Sequence, residues 1–356
     1  MKTVFVGLSG GVDSSVAALL LKQQGYEVVG VYMKNWSKDL PGLPCPWKED
    51  FTDAKRVAVQ LGIDFKMYDF EKDYRQKVVN DMIEGYKAGL TPNPDITCNQ
   101  EVKFKLFLNT ALDDGADLVA TGHYARVKNG RLLMAKDADK DQTYFLYRVS
   151  NAALGQTIFP LGELTKPEVR SIAKKHHLIT ADKKESMGIC FVGKVGIKDF
   201  LSQYVKSKPG KIINQKNDLV GEHNGAIFYS IGQRHGLDVG GGLPYYVVGK
   251  SMKKNEVYVS TDLQDDRLWS NKINFTSAHW INVPPVQPAK SNKQKTKLFV
   301  RTRHRSKLIP VKKLNPPQAG SSRWEAELAE EVRALTPGQS AVFYSGSECL
   351  GGGIIN

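Results

Sequence analysis

Apolar and polar residues repeat with two different periods in the first half of the chain, and this pattern predicts strands that alternate with helices. Short apolar runs bounded by polar or glycine residues indicate strands, and apolar residues at helical spacing indicate helices. The predicted strands are Thr3–Gly7, Glu27–Met33, Ile63–Tyr68 and Asp117–Thr121. The predicted helices are Asp13–Gln24, Thr52–Leu61, Glu71–Lys87 and Asn99–Asp113. Such alternation indicates βαβ units and a parallel sheet, whose ligands bind at the carboxyl ends of the strands.

The pattern changes along the second half. Asn129-Gly130 lies between two apolar segments and predicts a tight hairpin, and Lys166–His176 predicts a further helix. Beyond Gly193 the chain shows short strands and glycine turns, and a proline-rich break covers 283–288. We therefore expect an α/β fold with an N-terminal parallel-sheet domain (1–195), a small glycine-rich β middle domain (196–280) and a C-terminal β-barrel (281–356).

Composition narrows the class of protein. The 356 residues are 41% hydrophobic and 24% charged, which is typical of a soluble globular protein. No apolar run approaches the ~20 residues of a membrane span, so no membrane partner is expected. The sequence begins directly with a predicted core strand, so we expect no signal peptide and a cytoplasmic protein.

The charge distribution points to a polyanionic partner. The net charge is +13, and the segment from Lys290 to Lys313 holds ten Lys or Arg residues and no acidic residue. Apolar triplets within this segment predict basic strands rather than a tail. Two interpretations stay open for Arg301, Arg303 and Arg305: they contact phosphates, or they form ion pairs across a barrel. The acidic candidates for such pairs are Glu325, Glu327, Glu330 and Glu331.

The octet Leu8–Ser15, L-S-G-G-V-D-S-S, joins the first predicted strand to the first predicted helix. Bare glycines and the exposed N–H groups of a helix start form a cradle for phosphate, and Ser9, Ser14 and Ser15 add hydroxyl donors. Asp13 is placed to hold a divalent metal or a ribose. The octet lacks the lysine of the kinase-type loop and the G-x-G-x-x-G dinucleotide motif. An ordinary Gly-Gly turn is the alternative interpretation.

The cysteines offer two candidates for sulfur chemistry. The extended loop Thr91–Thr97 leads into a helix predicted to begin near Cys98, where the helix dipole favours a thiolate. Asp95 is positioned to shuttle a proton; alternatively Asp95 caps the helix and Cys98 only packs. By its surroundings, Cys190 resembles a core cysteine. None of the four cysteines has C-x-x-C spacing, so no structural metal site is expected.

Six motifs together resemble the bacterial tRNA-specific 2-thiouridylases. They occur at Ser9–Ser15 (S-G-G-V-D-S-S), Thr91–Asn99 (T-P-N-P-D-x-x-C-N), Ala120–Arg126 (A-T-G-H-Y-A-R), Lys140–Leu146 (K-D-Q-T-Y-F-L), Gly188–Gly193 (G-I-C-F-V-G) and Tyr229–Leu237 (Y-S-I-G-Q-R-H-G-L). The first motif also resembles the PP-loop of enzymes with an adenine nucleotide alpha hydrolase-like fold, which split ATP into AMP and pyrophosphate. The motifs follow the family's order and cover nearly the whole chain.

The resemblance implies a reaction. ATP, with Mg²⁺, adenylates the C2 oxygen of the tRNA wobble uridine, and sulfur then displaces AMP. Cys190 is similar to the family's persulfide carrier, loaded by a sulfur-donor protein, and Cys98 to its nucleophile. Whether Cys98 releases hydrosulfide and ends in a Cys98–Cys190 disulfide, or assists direct attack by the persulfide, stays open.

The resemblance also assigns binding residues. The implied ATP site comprises Gly7, Leu8, Ser9, Gly10, Gly11, Val12, Asp13, Ser14, Met33 and Gly122. The implied tRNA contacts are Asn93, Pro94, Asp95, His123, Lys140, Asp141, Gln142, Arg303, His304 and Gln339, with Asn93–Asp95 meeting the target base. His304 departs from the family, in which tyrosine is expected. Cys45 and Cys349 match nothing functional.

Two other classes of protein share part of this pattern. Ligases of the argininosuccinate or GMP synthetase type use the same loop to adenylate a carboxylate, but they have no use for two cysteines and a basic β domain. An RNA-binding protein with a degenerate nucleotide domain would explain the charge but not the intact loop. Exchange of pyrophosphate into ATP, with and without tRNA, distinguishes the three.

Overall fold

The computed structural model describes residues 1–39, 45–184, 196–240, 242–285 and 297–356. The strands of the first half are β1 Thr3–Gly7, β2 Glu27–Lys34, β3 Asp64–Asp69, β4 Leu118–Ala120, β5 Ala125–Lys128, β6 Arg131–Met134 and β7 Thr157–Ile158. The helices are α1 Val12–Gln23, α2 Trp47–Leu61, α3 71–87, α4 94–113, α5 Thr143–Leu146, α6 Asn151–Gly155, α7 Lys166–Lys175 and α8 Ile197–Leu201. Within α3 the segment Arg75–Val79 is π-helical, as is Cys98–Phe107 within α4.

Five of the described strands form the predicted parallel sheet, in the order β3-β2-β1-β4-β7. Helices cover both faces. Apolar side chains of α1, α2 and α7 pack on one face, and those of α3 and α4 pack on the other. This two-sided burial explains why β1 is a continuous apolar run rather than an alternating one. The predicted α/β fold is confirmed.

The two helices that flank the expected site begin earlier than predicted. Helix α2 begins at Trp47 rather than Thr52. Helix α4 begins at Pro94, because proline is suited to the first turn of a helix and Asn93 caps it through a side-chain bond to the Asp95 N–H at 3.1 Å. Pro94 thus starts the helix, whereas Pro92 lies in the loop before it.

The hairpin predicted at Asn129-Gly130 is present. It lies within the N-terminal half of the sequence but pairs with a strand of the C-terminal barrel. Both residues have positive φ, 51° and 71°, as a tight hairpin requires. The hairpin β5–β6 does not join the parallel sheet. Strand β6 pairs instead with the last strand of the chain, opposite Glu348 and Cys349.

A small sheet follows α8. Its strands are β8 Gly210–Ile213, β9 Leu219–His223, β10 Tyr246–Ser251 and β11 Glu256–Ser260, in the order β10-β11-β8-β9. Short 3-10 turns cover Ala226–Phe228 and Asp266–Leu268. The sheet agrees with the predicted glycine-rich β middle region.

The remaining described strands close into a barrel. They are β12 Trp269–Trp280, β13 Leu298–Arg301, β14 Ile309–Asn315, β15 Trp324–Arg333, β16 Ser340–Ser345 and β17 Glu348–Ile355. Antiparallel pairing runs β12-β15-β14-β13-β16-β17, and β12 pairs again with β17 to close the ring. The expected boundary at 281 assigned Trp269–Trp280 to the middle region, whereas this strand, β12, pairs within the barrel. In the part of the chain that the structure describes, no helix is long and apolar enough to cross a membrane.

Candidate functional site

The glycine turn between β1 and α1 is held in one conformation by its own hydroxyl groups. Ser14 Oγ accepts the Ser9 N–H at 3.1 Å and donates to the Gly11 carbonyl at 3.1 Å. Gly10 has φ +73°, and a Cβ there would stand 2.4 Å from the Asp50 carbonyl oxygen. Only glycine fits this position without moving helix α2.

The turn differs from expectation at Ser15. This residue is fully buried, and its hydroxyl bonds the Gly11 carbonyl at 2.8 Å and the Thr180 hydroxyl at 3.0 Å. Its side chain therefore braces the turn and does not serve as a phosphate donor.

The ends of three parallel strands meet at this turn, as predicted. A Cβ on Gly7 would stand 2.9 Å from the Met33 methyl carbon, and one on Gly122 would stand 2.8 Å from the Ser14 nitrogen. The implied ATP-site residues thus form one group at the carboxyl edge of the sheet. The side chains of Leu8 and Val12 are both buried.

Asp13 is engaged by two residues that the sequence analysis did not single out. Lys166 Nζ lies 2.7 and 2.8 Å from the two carboxylate oxygens of Asp13. The Tyr124 hydroxyl donates to the same carboxylate at 3.0 Å. Both partners are buried, and they lie 111 and 153 residues away in sequence. No local sequence signal could have found them.

A cavity of about 240 Å³ opens beside the glycine turn. Its lining combines the turn with residues from α7 and from the barrel loop after β13. The lining residues are Ser9, Gly11, Val12, Asp13, Tyr124, Lys140, Gln142, Lys166, Lys184, His304 and Arg305. Among the described lining residues, four are cations and one is a carboxylate, so this part of the wall carries a net positive charge. A larger hollow of about 700 Å³ on the barrel holds none of the predicted site residues.

Cys98 lies one turn inside helix α4 rather than at its start. Its N–H donates to the carbonyl groups of Pro94 and Asp95, so it is part of the helix ladder. The side chain is 2% exposed. The predicted helix-dipole effect on Cys98 is therefore weaker than expected, because the effect falls off within the first turn.

Burial is the main cause of the pKa shifts of both Asp95 and His123. Burial raises the pKa of the Asp95 carboxyl above its ordinary value, and the positive charge of Lys103 opposes this rise. Burial, with Lys103 as a second cause, holds the pKa of His123 well below its ordinary value. His123 bonds the Thr121 hydroxyl at 2.7 Å and packs on Phe104. The alternative interpretation of Asp95 as the helix cap is wrong, since the Asn93 side chain caps the helix.

Asp141 and Gln142 both bond to residues distant in the sequence. The Asp141 carboxylate is fully buried and accepts from Arg301 of the barrel at 3.0 Å. Gln142 and Tyr124 exchange two hydrogen bonds of 2.9 Å through the Gln142 N–H and side chain. Lys140 lines the cavity. A tRNA contact by the Asp141 carboxylate would require the Arg301 pair to break.

The three barrel arginines have separate environments. Arg301 is buried against Asp141 and over the Tyr344 ring, whereas Arg303 donates to the Ala334 carbonyl at 2.6 Å. Arg305 is exposed and faces the cavity. Within the described ranges, no ion pair joins these arginines to Glu325, Glu327, Glu330 or Glu331; Glu330 pairs with Lys307 at 2.6 Å. Neither sequence interpretation holds for all three arginines.

His304 and Gln339 also contact the N-terminal domain. The His304 ring packs on Phe145, with centroids 4.5 Å apart. Burial, together with the charges of Arg305 and Arg301, lowers the pKa of His304 to about 4. Gln339 Nε2 donates to the Thr91 carbonyl at 2.7 Å, at the start of the loop that carries Asn93 and Pro94.

The remaining cysteines fall outside this arrangement. Cys190, with its motif, lies outside the described residues, so its distance from Cys98 is not described. Burial raises the pKa of both Cys45 and Cys349, which disfavours the nucleophilic thiolate at these positions. Lys183, just before the Cys190 segment, pairs with Asp50 at 2.9 Å and Asp53 at 2.7 Å on helix α2.

Three family models together match most of the chain. A model described as tRNA methyl transferase HUP domain matches residues 2–194. A model described as tRNA methyl transferase PRC-barrel domain matches residues 198–261, and one described as aminomethyltransferase beta-barrel domain matches residues 270–355.

Curated proteins match over nearly the full length. The tRNA-specific 2-thiouridylase MnmA of Bacillus subtilis (strain 168) is 46% identical over 358 residues, covering 99% of this chain and 94% of that protein. The protein of the same name from Oceanobacillus iheyensis is 47% identical over 359 residues, with the same coverage. That of Idiomarina loihiensis is 46% identical over 366 residues, covering 99% of this chain and 96% of that protein.

Solved structures resemble the chain only in part. An NMN synthetase from Francisella tularensis is 18% identical with a TM-score of 0.33, covering 52% of this chain and 66% of that one. A 4-thiouridine synthetase in complex with RNA and ATP is 17% identical with a TM-score of 0.35, covering 57% of this chain and 50% of that one.

Proposed function

The chain belongs to the tRNA-specific 2-thiouridylase family, and from this premise we propose how its residues divide the reaction. It is a tRNA-uridine 2-sulfurtransferase. Two of the matching family models have names that refer to methyl transfer, but the relatives that match 99% of the chain are thiouridylases. Similarity over the full length of the chain therefore supports sulfur transfer rather than methyl transfer as the activity. We further propose the wobble uridine as the target and the cytoplasm as the location.

We assign ATP binding to the glycine turn and its cavity. The observation that carries this assignment is the convergence of a glycine cradle, with Gly10 at φ +73°, and a cavity wall rich in cations. Polyphosphates suit such a wall, because backbone N–H groups and cationic side chains both favour them. ATP supplies the adenylyl group that turns the uridine C2 oxygen into a leaving group.

Mg²⁺ fits this site as part of the nucleotide rather than as a resident ion. Among the described residues, no group of three or more His, Cys, Asp or Glu side chains could hold a metal. The Asp13 carboxylate already accepts from Lys166 and Tyr124. Magnesium commonly binds through substrate phosphates and water with few protein ligands. The Asp13 geometry does not support the metal role expected from sequence.

We assign sulfur transfer to Cys98 and Cys190. Burial raises the pKa of the Asp95 carboxyl, and Asp95 lies one helical turn before Cys98, so it is placed to move a proton at the thiol or at the target base. Lys103 contributes positive charge to the same region and approaches His123 Nε2 at 3.4 Å. A donor protein supplies the persulfide sulfur to Cys190. Both routes, hydrosulfide release and direct persulfide attack, remain compatible with this assignment.

The three parts of the chain then have distinct tasks. We propose that residues 1–195 carry the chemistry, that 196–280 form the connecting middle region, and that the C-terminal barrel (281–356, with β12 by strand pairing) binds tRNA. The barrel is not a separate RNA module, because His304 and Arg305 line the nucleotide cavity. A carboxylate-adenylating ligase has no use for this arrangement.

AMP formation tests the proposal. Purified protein with labelled ATP should release AMP and pyrophosphate only when substrate tRNA is present, and Asp13→Ala should abolish this release while the protein stays folded. Products of ADP and phosphate would overturn the proposed adenylation. Release driven by a small carboxylic acid would favour a ligase instead.

A further inference from the structure

The motif at residues 229–237 of the middle region has no task in the reaction as divided above, and its turn is closed by Gln233. The Gln233 side-chain oxygen accepts the Ser230 N–H at 3.0 Å, and its side-chain nitrogen donates to the His235 carbonyl at 2.9 Å. The Gln233 N–H donates to the Ser230 carbonyl at 3.0 Å. Both polar groups of the Ser230 main chain are therefore bonded to Gln233, which restricts the backbone that carries the Ser230 side chain.

This turn is anchored both to the sheet of the middle region and to the barrel. The Gly232 N–H donates to the Val247 carbonyl at 2.8 Å, and the Val247 N–H donates to the Gln233 carbonyl at 2.9 Å, so β10 holds the turn. Gly232 has φ +83°, and a Cβ there would stand 2.6 Å from the Cβ of Ala334, which follows β15. Glycine permits both the conformation and the close approach. Ser230 is thus carried by a turn that two parts of the chain support.

The Ser230 hydroxyl completes the bonding of Thr91. Ser230 Oγ lies 3.0 Å from Thr91 Oγ1, although the two residues are 139 positions apart in the sequence. The barrel bonds the other polar groups of Thr91. The Thr91 N–H donates to the Pro337 carbonyl at 2.8 Å, and the Thr91 carbonyl accepts from Gln339 at 2.7 Å. The middle region therefore supplies the bond to the side chain, and the barrel supplies the bonds to the main chain.

The loop that begins at Thr91 has little conformational freedom of its own. The rings of Pro92 and Pro94 fix the φ angles of both residues. Between them, the Asn93 side chain caps α4 by accepting the Asp95 N–H at 3.1 Å. A displacement of Thr91 is therefore passed to the start of α4, the helix that carries Asp95 and the proposed nucleophile.

We propose that Ser230 is a positioning residue for thiolation: it holds the loop 91–95 where this loop meets the target uridine, and Gln233 acts through Ser230. The proposal rests on the function proposed above, in which residues 93–95 meet the target base. It gives the middle region a task beyond connecting the other two parts. Reacting groups must be held in a narrow range of positions, so a loosened loop slows the reaction. Because Ser230 acts through the loop, its loss should lower the rate rather than the affinity for tRNA.

Removal of one hydroxyl group tests this role. Ser230→Ala should slow single-turnover thiolation at saturating ATP and tRNA by about 2- to 13-fold, the range expected for loss of one hydrogen bond. The dissociation constant for tRNA should stay within about twofold of the wild-type value. Ser230→Thr keeps the hydroxyl group and should restore most of the rate. The matched control is Ser251→Ala on β10, where the hydroxyl accepts the Lys254 N–H at 3.2 Å within its own hairpin, and it should match the wild type.

A double-variant cycle tests whether the bond itself carries the effect. Thr91→Val removes the same hydrogen bond from the other side and keeps the shape of the side chain. Ser230→Ala added to Thr91→Val should cause little further loss of rate, because two residues that act through one contact are not additive. Gln233→Met removes the groups that hold Ser230, and it should likewise add little to the effect of Ser230→Ala.

Three results would overturn the inference. One is a thiolation rate of Ser230→Ala equal to that of the wild type at saturating substrates. Another is full additivity of Ser230→Ala and Thr91→Val. The third is weaker tRNA binding with an unchanged saturating rate, which would place Ser230 in direct contact with tRNA. If the wild type itself forms no thiouridine with ATP and tRNA, the proposed function fails; if the wild type and Ser230→Ala are equally active, the proposed function stands and the positioning role falls.

Discussion

Gln339 of the barrel donates a hydrogen bond of 2.7 Å to the Thr91 carbonyl, at the first residue of the loop that leads to Cys98. Thr91 is also bonded through its N–H to Pro337 at 2.8 Å and through its hydroxyl to Ser230 of the middle region at 3.0 Å. A Cβ on Gly338 would stand 2.6 Å from the Thr91 nitrogen, so glycine permits this close approach. Both other parts of the chain thus hold the loop in place.

Gln339→Ala should therefore act on the reaction rate. Loss of one hydrogen bond costs about 0.5–1.5 kcal/mol, which corresponds to roughly a 2- to 13-fold slower thiolation at saturating tRNA. The dissociation constant for tRNA should stay within about twofold. Single-turnover thiolation and tRNA binding measure the two effects, with the exposed barrel variant Gln318→Ala as control. Weaker tRNA binding with an unchanged rate would show instead that Gln339 contacts the tRNA directly.

The cysteines should separate into two classes. Cys98→Ser and Cys190→Ser should each stop thiolation, and cyanide-labile sulfur should load on Cys190. Cys45→Ser and Cys349→Ser should retain activity, although Cys349→Ser should lower the melting temperature because that side chain is fully buried. Thiolation by Cys190→Ser with a persulfide donor would leave Cys190 with a packing role.

The barrel arginines should differ in what they stabilise. Arg301→Ala leaves the Asp141 carboxylate buried without its cation, and such a loss costs about 3–5 kcal/mol of unfolding free energy. Arg305→Gly should not lower stability, because Arg305 has φ +62°, a conformation that favours glycine. It should reduce the salt dependence of tRNA binding by about one phosphate contact. Thermal melts measure the stability of each variant, and tRNA affinity at several salt concentrations measures the salt dependence of binding. Equal effects of the two substitutions would contradict this division.

Acid should destabilise the protein partly through His304. Its pKa is about 4 in the folded state, below the ordinary value of 6.5, so the unfolded chain binds the proton more readily. Stability is therefore fully present above pH 6.5 and falls as the pH drops towards 4. Melting temperatures at pH 7 and pH 5 should differ less for His304→Phe, which keeps the stacking on Phe145 but has no proton to gain. An identical drop in both proteins would exclude this contribution.

The glycine turn should reject a side chain at one position and tolerate it at the next. Gly10→Ala forces a positive-φ conformation, which costs about 1–2 kcal/mol, and sets a methyl group against Asp50. At Gly11, a Cβ meets only the Ser9 hydroxyl at 3.5 Å, and φ is −100°. Thermal melts should show a clear loss for Gly10→Ala and little for Gly11→Ala. Similar melting temperatures would show that helix α2 yields to the added methyl group.

Local signals in the sequence predicted the local structure well. Strand β1 has the predicted bounds Thr3–Gly7, and the hairpin at Asn129-Gly130 follows from the positive φ that these residue types accept. The start of α4 was wrong because Pro94 was interpreted as a loop residue, although proline is equally suited to the first helical turn. The convergence of Gly7 and Gly122 followed from the rule for parallel sheets.

Contacts between distant residues could not be predicted. Lys166 and Asp13 are 153 residues apart, and Arg301 and Asp141 are 160 residues apart. Neither pair lies in a repeating pattern, and each charge taken by itself is compatible with a solvated surface. Packing of α7 and of the barrel against the N-terminal domain brings these pairs together, so only the folded chain reveals that Arg301 is buried and that Asp13 is engaged.

The hairpin β5–β6 has a consequence for exchanging parts between relatives. It is encoded within the N-terminal domain, yet β6 pairs with β17 and the Met134 N–H donates to the Ser347 carbonyl at 2.7 Å. A barrel transplanted or expressed without residues 125–134 would leave the start of β17 with an open edge, a surface that invites aggregation. A chimaera should therefore inherit the hairpin and the barrel from the same parent. This holds even though 134 residues lie between the end of the hairpin at Met134 and the first barrel strand at Trp269.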